Sequence, residues 1–417
     1  MYSFFKHFSL LLLLTLPLGA FAQSGNSPYS RIGLGELTQQ GMIYNIGMGG
    51  IGVSNSSQLH INMVNPALLS RNRFTAFEAG YNFEYKKLAT TDLSQGTKFG
   101  NLSYLAFAFP VTKRWTSSVG LMPYSTVNYS NVAEERVPGT SSFIDYTYKG
   151  SGGLTQVYFA NGVNLWKGLS LGLRINYNFG AIHTRSLSQV DDGYNRYAIE
   201  LLDRATFGDF SFESGVAYRQ KLAEKVSLNI GATYAWTKDV KYDQFKAIQR
   251  RRSVDDVVIY SDTITNRSTN AIRLPESYKL GISLEKSFAY TIGADVSMQK
   301  WSEYVGFAGR DALSNTIRYS AGGEWIPKAT GKFFERTAYR VGFSYAQLPM
   351  VVEGIQLDDK TITLGTSLPI GYASSCNLAF LFGQRGTTQN NLIKETYFRV
   401  TLGLTVNDQW FVRRRLD

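Results

Sequence analysis

The sequence predicts an all-β fold, a 14-stranded antiparallel transmembrane β-barrel with an N-terminal plug (hatch) inside the lumen. Three observations point there. Strict apolar–polar alternation recurs in segments of about ten residues. No stretch after the N-terminal leader holds the ~20 apolar residues of a membrane helix. Aromatic residues make up 14% of the chain and glycines number 39, a composition suited to strands and tight turns.

Taken in order, residues 1–22 read as a secretory signal peptide. One charged residue, Lys6, precedes an apolar stretch, and Ala20-Phe21-Ala22 provides a small-residue cleavage site before Gln23. No cysteine follows that site, so the mature chain is not expected to carry a lipid anchor.

Residues 23–73 form the expected plug. They are rich in Gly, Ser and Asn and lack barrel alternation. Within them Gly47, Gly49, Gly50 and Gly52 belong to a G-x-G-x-x-G string, the spacing that cradles a dinucleotide pyrophosphate. The context argues against that use. No β-branched strand precedes Gly47, the residues after Gly52 are polar, and no acidic residue stands ~20 positions on for a ribose. The glycines therefore read as tight turns of a plug.

Residues 74–406 supply the barrel. In 169–180, Leu169, Leu171, Leu173 and Ile175 share one face, while Ser170, Gly172, Arg174 and Asn176 share the other. Such strands turn an apolar face to lipid and a polar face to the lumen. Fourteen are expected, at 74–86, 98–110, 115–129, 153–165, 168–183, 207–219 and 226–239, then 276–286, 288–301, 315–325, 336–346, 359–369, 374–386 and 395–406. Short turns such as 112–114 should lie at the periplasmic end, and the long segments 130–152, 184–206 and 240–275 should be external loops. The six tryptophans sit at strand ends as two girdles: Trp115, Trp166, Trp325 and Trp410 on one side, Trp236 and Trp301 on the other. Residues 407–417 follow as a periplasmic tail.

Twelve strands carry a lumen-phase glycine at a similar height: Gly80, Gly120, Gly162, Gly172, Gly215, Gly231, Gly281, Gly293, Gly322, Gly342, Gly365 and Gly403. Glycine inside a strand costs stability unless another backbone must come close. The ring is expected to seat the plug, with permissive barrel curvature as the other explanation. Candidate apolar lumen residues are Leu105, Phe107 and Phe109 on the second strand, with Met122 and Tyr124 on the third. Pro123 lies between them and, lacking a backbone donor, marks a break or kink in the third strand.

Composition excludes several functions. A single cysteine, Cys376, rules out an internal disulfide and a zinc cluster. His60 and His183 are far apart, and no nucleophile–base motif is present, so neither a catalytic site, a metal nor a cofactor is expected. The net charge is +11, or +10 once Lys6 is removed with the leader. In a cell-envelope protein that excess meets anionic lipid rather than nucleic acid.

The glycine-rich lead-in closing on Asn65-Pro66-Ala67 and running into fourteen strands resembles the FadL family of hydrophobic-compound transporters of Gram-negative outer membranes. Residues 150–163, GSGGLTQVYFANGV, resemble family usage as well. The resemblance implies a hatch-plugged barrel in the outer membrane, a hydrophobic small-molecule ligand, and a third-strand kink that opens a path. Its lumen departs from that pattern in carrying mixed charges, among them Glu78, Glu84, Arg174, Glu213, Asp295 and Arg340. Two functions follow as expectations. One is passive uptake of a fatty-acid-like or aromatic molecule through the plugged lumen. The alternative is a non-transporting scaffold or shuttle subunit of an envelope protein complex for secretion or assembly, as FadL-like barrels of the type IX secretion system exemplify.

Overall fold

In the computed structural model, residues 27–39, 41–191, 197–252, 257–306, 313–371 and 373–410 are described. The leader at 1–22 and the tail from 411 onward lie outside them. Fourteen antiparallel strands close a barrel. They are β1 (Thr75–Ala89), β2 (Ser94–Thr112), β3 (Trp115–Arg136), β4 (Phe143–Trp166), β5 (Leu169–Asp191) and β6 (Tyr197–Lys221). Next come β7 (Val226–Ala235, continued as Lys238–Arg252) and β8 (Val258–Leu274, continued as Ser277–Lys286). The last six are β9 (Tyr290–Gln299), β10 (Thr316–Trp325), β11 (Ala338–Val352), β12 (Ile355–Pro369), β13 (Ser375–Arg385) and β14 (Lys394–Asp408). Closure comes from β14 against β1, paired from Lys394↔Ala89 to Asp408↔Thr75. No free edge is left there to template association.

The strands are unequal. β9 and β10 have ten residues each, whereas β4, β5 and β6 have 24, 23 and 25. A membrane-crossing strand needs about ten. At ~3.3 Å per residue, β6 therefore reaches ~80 Å and about half of it stands clear of the barrel. The segments 130–152, 184–206 and 240–275, expected as loops, are in large part these extensions. Their pairing continues as far as Arg136↔Phe143 and Asp191↔Phe143. Alternation could not reveal them, because above the barrel neither face is uniformly apolar, as Ser186, Leu187, Ser188 and Gln189 illustrate.

Outward-facing positions such as Phe159, Leu171, Phe212, Leu280 and Ile362 are exposed, as an apolar face turned to lipid requires. Five tryptophans share that exposure; Trp301 does not. It is 1% exposed, packs at a tilt against Tyr304 (5.6 Å between ring centres) and donates from Nε1 to Gln299 (2.8 Å). It lies in a short 3-10 helix folded inward after β9 and belongs to a core, not a girdle.

Residues 27–39 and 41–71 run inside the barrel. The lower core forms where Met42, Ile43, Ile61 and Met63 meet Tyr104, Met122 and Tyr158 of the wall. A second core, nearer the tall end, joins Leu34 to Val127, Phe207, Tyr242 and Trp301.

Candidate functional site

Inside the barrel the chain first pairs briefly with the wall: Glu36 and Leu37 form a two-residue strand against Thr126 and Ser125 of β3. A single helical turn follows (Ile43–Ile46), then the Gly47–Gly52 bend, and last a 3-10 helix, Pro66–Arg71. Gly49 and Gly50 have φ of 73° and 88°, which only glycine adopts without strain. The Gly49 amide donates to Thr363 (2.9 Å), and the Gly52 and Val53 amides both donate to Asp295 (2.7 and 2.9 Å). These are hydrogen bonds to protein side chains where a nucleotide site would need a phosphate.

Asn65 caps the 3-10 helix. Its Oδ1 accepts from the Ala67 amide (3.0 Å), and its Nδ2 donates to the carbonyls of Val53 (2.7 Å) and of Val216 on β6 (3.1 Å). Pro66 suits the first helical position, where no donor is needed. Wall and plug meet backbone to backbone around this turn. A Cβ on Gly162 would strike Pro66, Leu69 and Ser70, one on Gly172 would strike Pro66 and Ala67, and one on Gly215 would strike the Asn65 amide oxygen. Further round, Gly231 and Gly281 face Val53; Gly322, Gly342 and Gly365 face residues 47–49; Gly403 faces Ile43. Gly293 is looser, with Ile51 at 3.3 Å from a Cβ. The two remaining ring members do not meet the plug. Gly80 and Gly120 lie beneath the rings of Tyr104 and Tyr158, side chains of adjoining strands.

Charges fasten the rest. Arg174, 1% exposed, pairs with Glu213 and donates to the Met63 carbonyl (2.6 Å). Glu78 accepts from the Ile61 amide (2.7 Å), and Glu285 takes Arg71 (2.9 Å). Higher up, Glu36 is gripped by Lys86 (2.9 Å) and Arg385 (2.8 Å). Burial alone pushes the Glu36 carboxyl up, but Arg385 and Lys86 outweigh it and hold it well below the usual carboxylate range. Lys86, Arg385, Asp359 and Glu395, all on the lumen phase, are partners that alternation placed on the right face without singling them out.

The apolar lumen assigned from sequence needs correction. Leu105, Phe107 and Phe109 face outward: Leu105 pairs with Ala79, and Phe107 pairs with Phe77 and packs against Trp410. The lumen side of β2 is instead Tyr104, Ala106 and Ala108, all buried. The cause is a bulge at Ser103, where the register with β1 slips between Gly80 and Tyr81. Above it Phe99 and Asn101 face in; below it the phase is reversed. Met122 does face the lumen, buried at 5% against the plug. Tyr124 sits in a second bulge, between Pro123↔Thr155 and Ser125↔Leu154.

These two bulges mark a parting of the wall. β2 and β3 pair only from Leu105↔Leu121 down to Thr112↔Trp115. Above Leu121, the β3 edge is met by the plug: Thr38 donates to the Tyr124 carbonyl, Ser27 to the Asn128 carbonyl (both 3.0 Å). Pro123 stands where the strands separate. Behind the seam lies a cavity of about 220 Å³, bordered by Phe99 and Asn101 of β2, Tyr124 and Thr126 of β3, and Leu37. Its floor is charged, with Lys279, Asp295, Arg318, Asp359, Arg385 and Arg399.

Among the described residues no group of three or more metal-ligating side chains occurs. No curated protein matches the chain. The fold does have solved counterparts. The monoaromatic hydrocarbon channel CymD matches at 14% identity over 90% of this chain and 98% of its own, TM-score 0.53. The Pseudomonas putida toluene transporter TodX matches at 15% over 88% and 98%, TM-score 0.57. A Pseudomonas aeruginosa FadL homologue matches at 11% over 90% and 98%, TM-score 0.55. At such identities the likeness is one of fold, a FadL-type barrel. A family model described as BamG matches residues 4–417, essentially the whole sequence, and the chain belongs to the BamG family.

Proposed function

We propose that this protein is an outer-membrane barrel of the hydrocarbon-channel fold whose lumen is a structural seat, and that it serves as a subunit of an envelope protein-assembly or secretion machine. The observation that carries this is the fastening of the plug. Buried ion pairs and backbone hydrogen bonds tie residues 27–71 to the wall from Glu395 near the tall end to Glu285 near the short-turn end. The cavities left beside it are lined with charges, a poor medium for a hydrocarbon. Strands β3 to β8 also raise a wall that crossing the membrane does not require.

A second reading has its own support. The seam between β2 and β3 opens on the cavity behind it, whose Phe99, Leu37 and Tyr124 stand opposite several cations. An amphiphile with an anionic head could pass sideways there, in keeping with the family resemblance.

Native mass spectrometry of the barrel extracted in mild detergent separates the two. A stoichiometric protein partner supports the scaffold; a bound amphiphile on a lone barrel overturns it in favour of passage. Orientation is testable in the same strain. A cysteine at Asp262, on the exposed hairpin, should react from outside intact cells, and one at Lys113 should not. The reverse pattern would invert the barrel.

A further inference from the structure

At the short-turn end, beside the end of the plug, lies a cavity of about 390 Å³. Five of its lining residues are cations, Arg71, Arg73, Lys113, Arg114 and Arg219, and no aspartate or glutamate lines it. They come from separate elements: Arg71 from the plug helix, Arg73 from the link to β1, Lys113 and Arg114 from the β2–β3 turn, and Arg219 from β6. The nearest carboxylate, Glu285, is shared by Arg71 (2.9 Å) and Arg219 (3.5 Å). One negative charge thus serves two guanidinium groups, while three more cations gather at the mouth.

The donors are not used up. Nη1 of Arg71 and Nε of Arg219 are buried and have no hydrogen-bond partner in the protein. Leaving a charged donor buried and unpaired costs more than a neutral one, which argues for a group that completes the site. Basic residues at strand ends often do no more than meet lipid headgroups at the membrane surface. Arg71 and Arg219 do not fit that role, since they are only 12% and 28% exposed and stand on the plug and on the lumen face of β6.

We propose that this cavity binds a phosphoryl group, held between the plug and the wall. A carboxylate matches one guanidinium fork. A phosphate carries up to two charges and more acceptor oxygens, so it can draw on several of the five cations, and guanidinium forks suit its geometry. The Ser70 hydroxyl donates to Ser170 Oγ (2.9 Å), which leaves the Ser170 hydroxyl as one further donor on the same cavity wall. A ligand here would tie Arg71 of the plug to Arg114 and Arg219 of the barrel. The inference is independent of whether the barrel scaffolds or transports.

The test is calorimetric titration of the purified mature chain in non-ionic detergent with two probes, inorganic phosphate and dihexanoyl phosphatidylglycerol. Saturable one-to-one binding that weakens as salt rises is the expected result. Binding of both probes marks a site for phosphate itself, and binding of the lipid alone marks a headgroup site. Arg114→Gln and Arg219→Gln should each weaken binding at least tenfold. Arg114 is the safer variant, because among the described residues its side chain makes no hydrogen bond or ion pair to the plug. Lys328→Gln, on the β10–β11 connection outside the cavity, should bind as the parent does. The proposal is overturned if neither probe saturates, if both arginine variants bind like the parent, or if an oligoglutamate peptide binds while neither phosphate probe does.

Discussion

Replacing Gly231 or Gly342 with leucine should unseat the plug while leaving the barrel closed. The side chain added at Gly231 would overlap the Val53 carbonyl, and at Gly342 it would overlap Gly49. Both obstacles are backbone, fixed further by the bonds of Gly49 to Thr363 and of Val53 to Asp295. Neither can swing aside as a side chain would. Overpacking typically costs ~1–3 kcal/mol, and an unyielding neighbour favours the upper end. The strand ladder itself loses nothing, because leucine suits a strand better than glycine. Heat-modifiable migration on gels should persist, and permeability to bulky antibiotics should rise. Gly371→Leu is the control, since nothing lies within 4 Å of a Cβ there. Equal permeability in ring and control variants would leave barrel curvature as the reason for these glycines.

How far such sites are legible in sequence depends on whether periodicity survives. Strand number is readable because outward side chains must be apolar at every second position for the whole width of a membrane. Lumen-phase glycines are readable for a related reason: ten of the twelve stand against plug atoms, and at nine of them a Cβ would collide with the plug. Gly80 and Gly120 show the limit, since a ring from the neighbouring strand covers a glycine just as well. A bulge leaves no mark on composition. Ser103 inverts the phase of β2, and both faces of that strand are apolar, so Leu105, Phe107 and Phe109 could not be sorted by alternation. The ion cluster around Glu36 escaped for another reason. Glu36 lies on the plug, 50 residues from Lys86 and farther still from Arg385, and no local pattern links them.

That cluster supports the other large effect. Lys86 is fully buried and touches three carboxylates: Glu36 at 2.9 Å, Glu395 at 3.4 Å and Glu84 at 3.6 Å. With Arg385 and Arg399 it faces four acids, the fourth being Asp359, so three cations already serve four carboxylates. Lys86→Met should leave the acids under-compensated in a dry site, a loss of about 3–5 kcal/mol for breaking a buried pair. The weakest member of the cluster is Glu36, because it sits on the plug and the others sit on strands. Its release should free the Glu36–Leu37 strand from β3 and uncover the seam. A cysteine at Leu37 should then be labelled at least tenfold faster at neutral pH than in the parent. Acid acts on the same contact from the other side. The folded Glu36 carboxyl is held below its ordinary value, so its contribution is complete above about pH 4.3 and declines only as pH falls further. The parent should accordingly keep Leu37→Cys protected at pH 6 and lose protection only well below pH 4. Adding Glu36→Gln to Lys86→Met should restore little protection, since the pair is already broken, whereas Glu36→Gln alone should cost several-fold. Labelling that is unchanged in Lys86→Met would mean that the upper plug is held by its backbone bonds to Tyr124 and Asn128 and not by charge.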